Sequence, residues 1–229
     1  MKRFRKTIIL SMLLALTLCV GAQATENTML KVGLKYGTNA LFTARLQNYN
    51  DTLSGSGYEF GYYDADRSFV PLAATDEQRI TVTVDSNAYV SGGVCYETRP
   101  TNYSTILGAY HIELLTAFGS YEEALAVAQS YPKGFVAYID GAYRVRVGNH
   151  ASYDESARVL SETDVLAYGA QIVTPSSTGV VVSVTDTDTV LFEFDCSGLR
   201  SLGVRPRSVS GEKTVTLFSG YRYYGGFEY

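Results

Sequence analysis

The amino-acid sequence predicts an α+β protein, in which a small βαββαβ module is inserted into a mainly antiparallel β-domain. Three observations lead to this fold class. Short alternating runs rich in Tyr, Val and Thr, typical of strands, occupy both the N-terminal and the C-terminal parts of the chain. Helical patterning is confined to the middle of the chain. There, the stretches "GSYEEA" and "ASYDESA" repeat each other, and each follows a strand-like run, so the middle is predicted to consist of two similar halves.

The β-domain is predicted in two parts, residues 29–90 and residues 178–229. The first part contains the strand-like runs "MLKVGLKYG", "ALFTARLQN" and "RITVTVD", and a hairpin formed by "YEFGYY" and "SFVPL". The second part contains a hairpin in "GVVVSVTDTDTVLFEFD" and further strand in "VTLFSGYRYYGGFEY". Because the two parts flank the middle, we expect one β-domain with the module inserted at a loop, which leaves the host core intact.

The inserted module is predicted over residues 106–175. Its first strand, "AYHIELLTAF", leads to a helix that Ser120 can cap, with acidic residues in the first turn. The next strand, "GFVAYIDG", ends in a tight turn at Asp140 and Gly141 and continues into "AYRVRVGNH". Ser152 opens a second helix, and "AQIVTP" is the fourth strand. This order predicts a ferredoxin-like antiparallel sheet with both helices on one face and the other face open.

The N-terminus indicates export. Residues 1–24 combine a basic start, "MKRFRK", an apolar run, "TIILSMLLALTLCVG", and a small-residue cleavage pattern, "AQA", which together are typical of a secretory signal peptide. An uncleaved membrane anchor is the alternative, so a membrane is expected as a partner only through this segment. Removing the four basic residues of the leader leaves 15 Lys and Arg against 23 Asp and Glu, a net charge of −8. Such a chain is not expected to bind nucleic acid, which requires neutralisation of phosphates.

Two cysteines follow the leader, Cys95 and Cys196, and export permits a disulfide between them. The sequence leaves a disulfide and two separate thiols equally open, because their geometry is not readable from spacing. The histidines are His111 and His150, and the sequence has neither a metal-ligand spacing nor a nucleophile with a partnered base. We therefore expect no metal, no cofactor and no complete catalytic site.

Candidate binding residues come from the alternation in "YRVRVG". If the apolar residues of this strand face the helices, Arg144 and Arg146 project from the open face of the sheet. Glu113 on the first strand is expected beside them as the cross-strand partner of an arginine. Tyr138 adds an aromatic ring if the apolar residues on either side of it face inward. A guanidinium, a carboxylate and an aromatic ring together suit the binding of polar sugars.

The stretch "AYRVRVGNHASYDESARVL" closely resembles the second half of SPOR domains, the sporulation-related repeat. The similarity extends from residue 110 to about residue 173 and is looser in the first half, "HIELLTAFGSYEEA". SPOR domains bind peptidoglycan on the open face of their sheet, especially glycan strands stripped of their stem peptides. The resemblance implies that Glu113, Tyr138, Arg144 and Arg146 lie on or near a glycan-binding face.

The flanking β-runs, including "GYEFGYYD", "LGVRP" and "FSGYRYYGGFEY", resemble the N-terminal β-region of stage II sporulation protein D-like proteins. Members of that family are peptidoglycan lytic transglycosylases. Their catalytic glutamate lies in a longer segment after the strand that is similar to "YYGGFEY". Because this chain stops at Tyr229 without that motif, we expect a truncated second part of the β-domain and no catalysis.

These observations predict an exported cell-wall protein that binds peptidoglycan glycan strands, with other cell-wall hydrolases as further partners. Two other functions stay open. One is a fragment of a lytic transglycosylase or amidase enhancer whose catalytic segment is missing. The other is a protein-interaction module of the cell envelope.

Overall fold

The computed structural model describes residues 31–35, 37–50, 53–162, 169–207 and 214–229. The predicted signal peptide, residues 1–24, lies outside the described residues. The chain divides into two units, Met1–Leu34 and Lys35–Tyr229. Of the first unit only residues 31–34 are described, and they are exposed and do not form the strand predicted from "MLKVGLKYG". The fold presented below is that of the second unit.

Ten strands within the described residues form one large mixed sheet. Numbered in chain order, they lie across this sheet as β13 (Ala170–Val173), β10 (Tyr110–Leu114), β12 (Ala142–His150), β11 (Gly134–Ile139), β15 (Val190–Asp195), β14 (Val180–Val184), β6 (Arg79–Val84), β1 (Thr43–Gln47), β17 (Val215–Phe218) and β18 (Tyr221–Tyr224). Neighbouring strands are antiparallel except β11 and β15, which pair in parallel. This parallel pair joins the strands of the middle of the chain to those of its flanks.

A second sheet and two helices pack on one face of the large sheet. The second sheet has the order β19 (Phe227–Glu228), β16 (Gly203–Pro206), β4 (Tyr58–Tyr63) and β5 (Phe69–Thr75), and the helices are α1 (Tyr121–Ala128) and α2 (Tyr153–Glu162). The main core lies between these layers. At its centre Phe60 stacks on Phe192 with ring centroids 5.6 Å apart, and Tyr121 meets the same Phe192 ring edge-on.

The opposite face of the large sheet is partly covered by a small sheet with the order β8 (Val94–Tyr96), β7 (Ala88–Ser91) and β9 (Thr105–Leu107). Ala88 and Leu107 pack on Val181 of β14. The neighbouring Val182 belongs to the main core, so Val181 points to the other side of the sheet. A short hairpin, β2 (Tyr49–Asn50) with β3 (Leu53–Ser54), and a 3₁₀ turn at Gly37–Asn39 complete the described elements.

Both helices begin where the sequence predicts. The hydroxyl of Ser120 accepts a hydrogen bond from the Glu123 N–H at 3.2 Å, and the hydroxyl of Ser152 accepts one from the Glu155 N–H at 3.2 Å. In each helix the same glutamate accepts from the backbone N–H just before the serine. Each serine thus satisfies one backbone donor that an α-helix leaves unpaired at its start, and each glutamate holds the residue that precedes the cap.

The predicted turn between β11 and β12 is also formed. Asp140 and Gly141 both have positive φ, 47° and 91°, and connect Ile139 to its register partner Ala142. Two successive left-handed residues make a type I′ turn, whose twist matches that of the flanking strands. Gly141 adopts this conformation without the strain that a Cβ would add.

The predicted α+β fold class is wrong. Of the described residues, 48% are in strands and 11% are helical, with two α-helices, so this part of the chain is mostly β. Strands β13, β10, β12 and β11 are neighbours in that order, but they form one end of the ten-stranded sheet and not a separate ferredoxin-like module. The physical reason lies at β11, whose outer backbone groups would be unpaired in an isolated four-stranded sheet. β15 satisfies them, and it thereby removes the edge at which a module would end.

Candidate functional site: a buried ionic cluster and the surface beside it

The four predicted glycan-binding residues do not share one face of the sheet. Glu113 and Arg146 are direct register partners on β10 and β12. Tyr138 instead pairs with Tyr143, and its ring lies on the helix-covered face, stacked on Phe194 at 6.1 Å. It is only 9% exposed. The prediction that Tyr138 adds a ring beside the arginines is therefore wrong.

Arg146 makes the predicted cross-strand ion pair but is buried. Its Nε donates to Oε2 of Glu113 at 2.9 Å, and its Nη1 donates to Oε1 of Glu193 on β15. Gln171 donates to the other oxygen of Glu113 at 3.1 Å. Arg146 is 7% exposed and Glu113 is 6% exposed. The expectation that this pair lies on an open sheet face is wrong, because the sheet continues beyond β11 and brings Glu193 against the guanidinium.

Arg144 is the member of the predicted set that keeps access to solvent. Its Nη1 donates to the carbonyl oxygen of Leu115 at 3.2 Å, and Leu115 is itself 54% exposed. A guanidinium carries five N–H donors, and this bond uses one of them. The side chain is thus anchored at one nitrogen at the protein surface.

Two further titratable residues, Asp85 and His111, are buried with Glu193. Oδ2 of Asp85 accepts from the backbone N–H of Ser176 at 2.7 Å. Nδ1 of His111 lies 2.7 Å from the carbonyl oxygen of Gly148, and its Nε2 lies 3.8 Å from Oε2 of Glu193. Asp85, His111, Glu193, Arg146 and Glu113 therefore form one group, which we call the buried ionic cluster.

Burial determines the protonation of this cluster. It raises the pKa of Asp85 to about 7, and the charge of Glu193 adds to the rise. Burial lowers the pKa of His111, although Glu193 acts in the opposite direction. Burial alone would lower the pKa of Arg146, but Glu193 and Glu113 more than offset it and raise that pKa overall. The imidazole is therefore neutral at pH 7, while the guanidinium is charged.

The sequence did not single out Asp85 or Glu193, and it left His111 without a carboxylate partner. A signal was present in the strands "YHIEL" and "LFEFD", where His111, Glu113 and Glu193 each stand between two apolar residues. A charged or polar group inside an apolar strand is costly unless it has partners. The sequence did not show which residues would be the partners of these polar groups, because the partners lie on elements far apart in the chain.

Cys95 and Cys196 are both free thiols, so of the two possibilities that the sequence left open the structure has separate cysteines. Cys95 on β8 is partly exposed, and Cys196 after β15 is buried. Burial raises the pKa of both thiols above the ordinary value. Neither is therefore an activated nucleophile, since the thiolate is the reactive form.

A groove of about 470 Å³ lies further along the face that carries Arg146. Its lining mixes cationic, polar and apolar side chains, including Arg45, Gln47, Arg79, Val94 and Leu217. Asp186 holds Arg45 at 2.8 Å, which fixes the direction of that guanidinium. Besides the surface around Arg144, this groove is another place on the same face of the sheet where a polar ligand can lie.

Compared with protein-family models, with curated proteins and with solved structures, the chain matches none of them. The resemblance to SPOR domains and to stage II sporulation protein D-like proteins stays a prediction from the residues quoted above. Within the part of the chain that the structure describes, no helix has the length and apolar character that crossing a membrane requires.

Proposed function

We propose that the chain is an exported protein that binds peptidoglycan glycan strands in the cell wall, through the surface around Arg144. The observation that carries the proposal is Arg144 itself, which reaches solvent on the side of the sheet that the helices leave uncovered. The leader-like N-terminus, the net charge of −8 without it and the likeness of "YRVRVG" to SPOR strands support the same conclusion.

The chemistry of the ligand fits a guanidinium. Removing a stem peptide with an amidase leaves a free carboxylate on the glycan strand. Arginine binds a carboxylate through two parallel N–H donors, which adds geometric specificity to the charge attraction. Arg144 is expected to favour stripped strands for this reason, while Arg146 is already held by Glu113 and Glu193 inside the protein.

The proposal predicts that the purified protein binds amidase-treated sacculi more tightly than untreated sacculi. Arg144→Ala is expected to weaken binding to treated sacculi at least about tenfold, because the loss of even one charge-assisted hydrogen bond has that effect. Co-sedimentation over a range of protein concentrations measures the change. Arg158→Ala is the matched control, because Arg158 is an exposed arginine on α2 that pairs only with Glu162 among the contacts described. It is expected to leave binding unchanged.

Equal binding to both preparations, or binding to neither, would contradict glycan recognition. If Arg45→Ala loses binding and Arg144→Ala binds normally, the ligand lies in the groove and not at Arg144. Sacculus binding that is the same in Arg45→Ala and in Arg144→Ala as in the wild type would favour the protein-interaction module of the envelope. Clearing of peptidoglycan in a zymogram would favour the lytic enzyme.

A further inference from the structure

Three side-chain atoms in the buried ionic cluster have no hydrogen-bond partner. They are Oδ1 of Asp85, Nε2 of His111 and Oε2 of Glu193. The three residues also stand close together, because one potential metal-ligating atom from each lies within 4.8 Å of those of the other two. The residues are 4%, 1% and 0% exposed, so bulk water does not satisfy these atoms. An unpartnered buried polar atom is unfavourable, and three of them on neighbouring side chains call for a common partner.

The tautomer of His111 makes its Nε2 an acceptor, as are the free oxygens of Asp85 and Glu193 when both carboxylates are ionised. The carbonyl oxygen of Gly148, 2.7 Å from Nδ1, is able only to accept, so the neutral ring carries its proton on Nδ1. Nε2 therefore carries a lone pair, and Oε2 of Glu193 lies 3.8 Å from it. Two carboxylate oxygens and an imidazole lone pair repel one another, and a positively charged species between them removes the repulsion.

In each of the three side chains the other polar atom of the group already has a hydrogen-bond partner. The second oxygen of Asp85 accepts from the Ser176 N–H at 2.7 Å, and the second oxygen of Glu193 accepts from Arg146. Nδ1 of His111 donates to Gly148. A supporting hydrogen bond on the far side of every ligand is the usual arrangement of metal sites, where it fixes ligand orientation.

The net charge of the cluster also calls for a positively charged partner. Asp85, Glu113 and Glu193 carry three negative charges when ionised, and Arg146 supplies one positive charge. With Asp85 ionised, as metal binding requires, two negative charges remain inside the protein, where uncompensated charge is strongly unfavourable. One divalent cation between Asp85, His111 and Glu193 neutralises the whole cluster.

We propose that Asp85, His111 and Glu193 bind a divalent first-row transition-metal ion, with Zn²⁺ as the expected occupant. Imidazole nitrogen and carboxylate oxygen are ligands of this class of ion, at about 2.0–2.2 Å from Zn²⁺. In tetrahedral geometry such bonds put two ligand atoms about 3.4 Å apart, so the 3.8 Å between Nε2 and Oε2 requires only a small contraction. A hard ion such as Mg²⁺ or Ca²⁺ prefers an all-oxygen shell.

The role of this ion is structural. Asp85 follows β6, His111 is on β10 and Glu193 is on β15, so one ion connects the first flank, the middle and the second flank of the chain. A ligand that binds only the folded state stabilises it by mass action, and ligands distant in sequence do not form a site in the unfolded chain. The inference does not depend on glycan binding.

The test uses the whole chain, stripped with EDTA and then titrated with Zn²⁺. We expect one equivalent of zinc per chain by elemental analysis after gel filtration. The thermal midpoint is expected to rise by about 5–10 °C when free zinc is a hundredfold above the dissociation constant. Mg²⁺ and Ca²⁺ at the same concentration are expected to give no rise.

Two variants assign the site. Asp85→Asn retains an oxygen acceptor for Ser176 but removes the charge, and His111→Gln removes the imidazole. Both variants are expected to weaken zinc binding by at least about 100-fold. That value is the upper end of the loss seen when a group that only supports a metal ligand is removed. Asp195→Asn is the control, because Asp195 lies on β15 like Glu193, but its carboxylate is partly exposed and accepts a hydrogen bond from the Thr178 hydroxyl. It is expected to bind zinc normally. Circular dichroism of each variant shows whether it is folded.

Several outcomes would overturn the proposal. Wild-type protein that binds none of the first-row divalent ions, with the same thermal midpoint with and without EDTA, would mean that a proton or a water satisfies the three atoms. A response to Mg²⁺ or Ca²⁺ alone would contradict the class of ion. Zinc that stays bound in Asp85→Asn would lie elsewhere, for instance on Cys95 or Cys196, which that variant retains.

Discussion

Replacing Arg146 with alanine is expected to lower the free energy of unfolding by about 3–5 kcal/mol, the usual cost of removing one partner of a buried ion pair. The change leaves Glu113 and Glu193 inside the protein without the cation that both contact. Urea denaturation followed by circular dichroism measures the loss, which is read from the midpoint and the slope of the transition. A double variant at Arg144 and Arg146 is consequently unsuited to a binding assay, because it would report unfolding.

Arg158→Ala is the control for this prediction as well, since its exposed pair with Glu162 on α2 is worth only about 0.3–0.5 kcal/mol. Adding Glu113→Gln to Arg146→Met is expected to recover part of the stability, because it removes one of the uncompensated charges. A loss below about 1 kcal/mol in Arg146→Ala would mean that the guanidinium is not buried between the two carboxylates.

Phe192→Ala is expected to cost about 3–5 kcal/mol, the range measured when a buried aromatic side chain is truncated in a core. Phe192 is fully buried on β15 and contacts Phe60 of the second sheet and Tyr121 of α1. Truncation leaves a cavity where the large sheet, the second sheet and the first helix meet. Chemical denaturation measures the loss, and Phe192→Leu is expected to lose less because it leaves a smaller cavity.

Leu199→Ala is the matched control for the core, because Leu199 is 87% exposed and its truncation is expected to change stability by less than about 0.5 kcal/mol. If Phe192→Ala were no more destabilising than Leu199→Ala, the two sheets would not share the packed core described above.

Features that depend on neighbours in the sequence were predictable. The capping serines, Ser120 and Ser152, and the turn at Asp140 and Gly141 are each determined by a few adjacent residues. The pairing of Glu113 with an arginine followed from the expected order of adjacent strands. These parts of the fold need no knowledge of what packs on the other side of the sheet.

Features that depend on distant segments were not predictable. The parallel pairing of β11 with β15 joins Val136 to Phe192, and no local pattern in either strand encodes it. Alternation divided β12 into two faces but did not reveal that β15 would bring a carboxylate to Arg146. Tyr138 was assigned to the wrong face because "GFVAYI" is apolar on both sets of alternating positions, so the pattern does not show which set faces the helices.

The order of the strands in the large sheet also constrains how the chain reaches its fold. β6 has β1 on one side, but on its other side Val82 pairs with Val182, about 100 positions later, and Gln47 of β1 pairs with Leu217 of β17. The N-terminal strands therefore keep unpaired edges until the C-terminal third of the polypeptide is available to join them. Contacts between segments so far apart close large loops, which makes folding slow compared with that of helical proteins of similar size. The hydrogen bonds of the two helices join residues close in sequence, whereas the sheet is completed only when the strands after residue 178 have been synthesised.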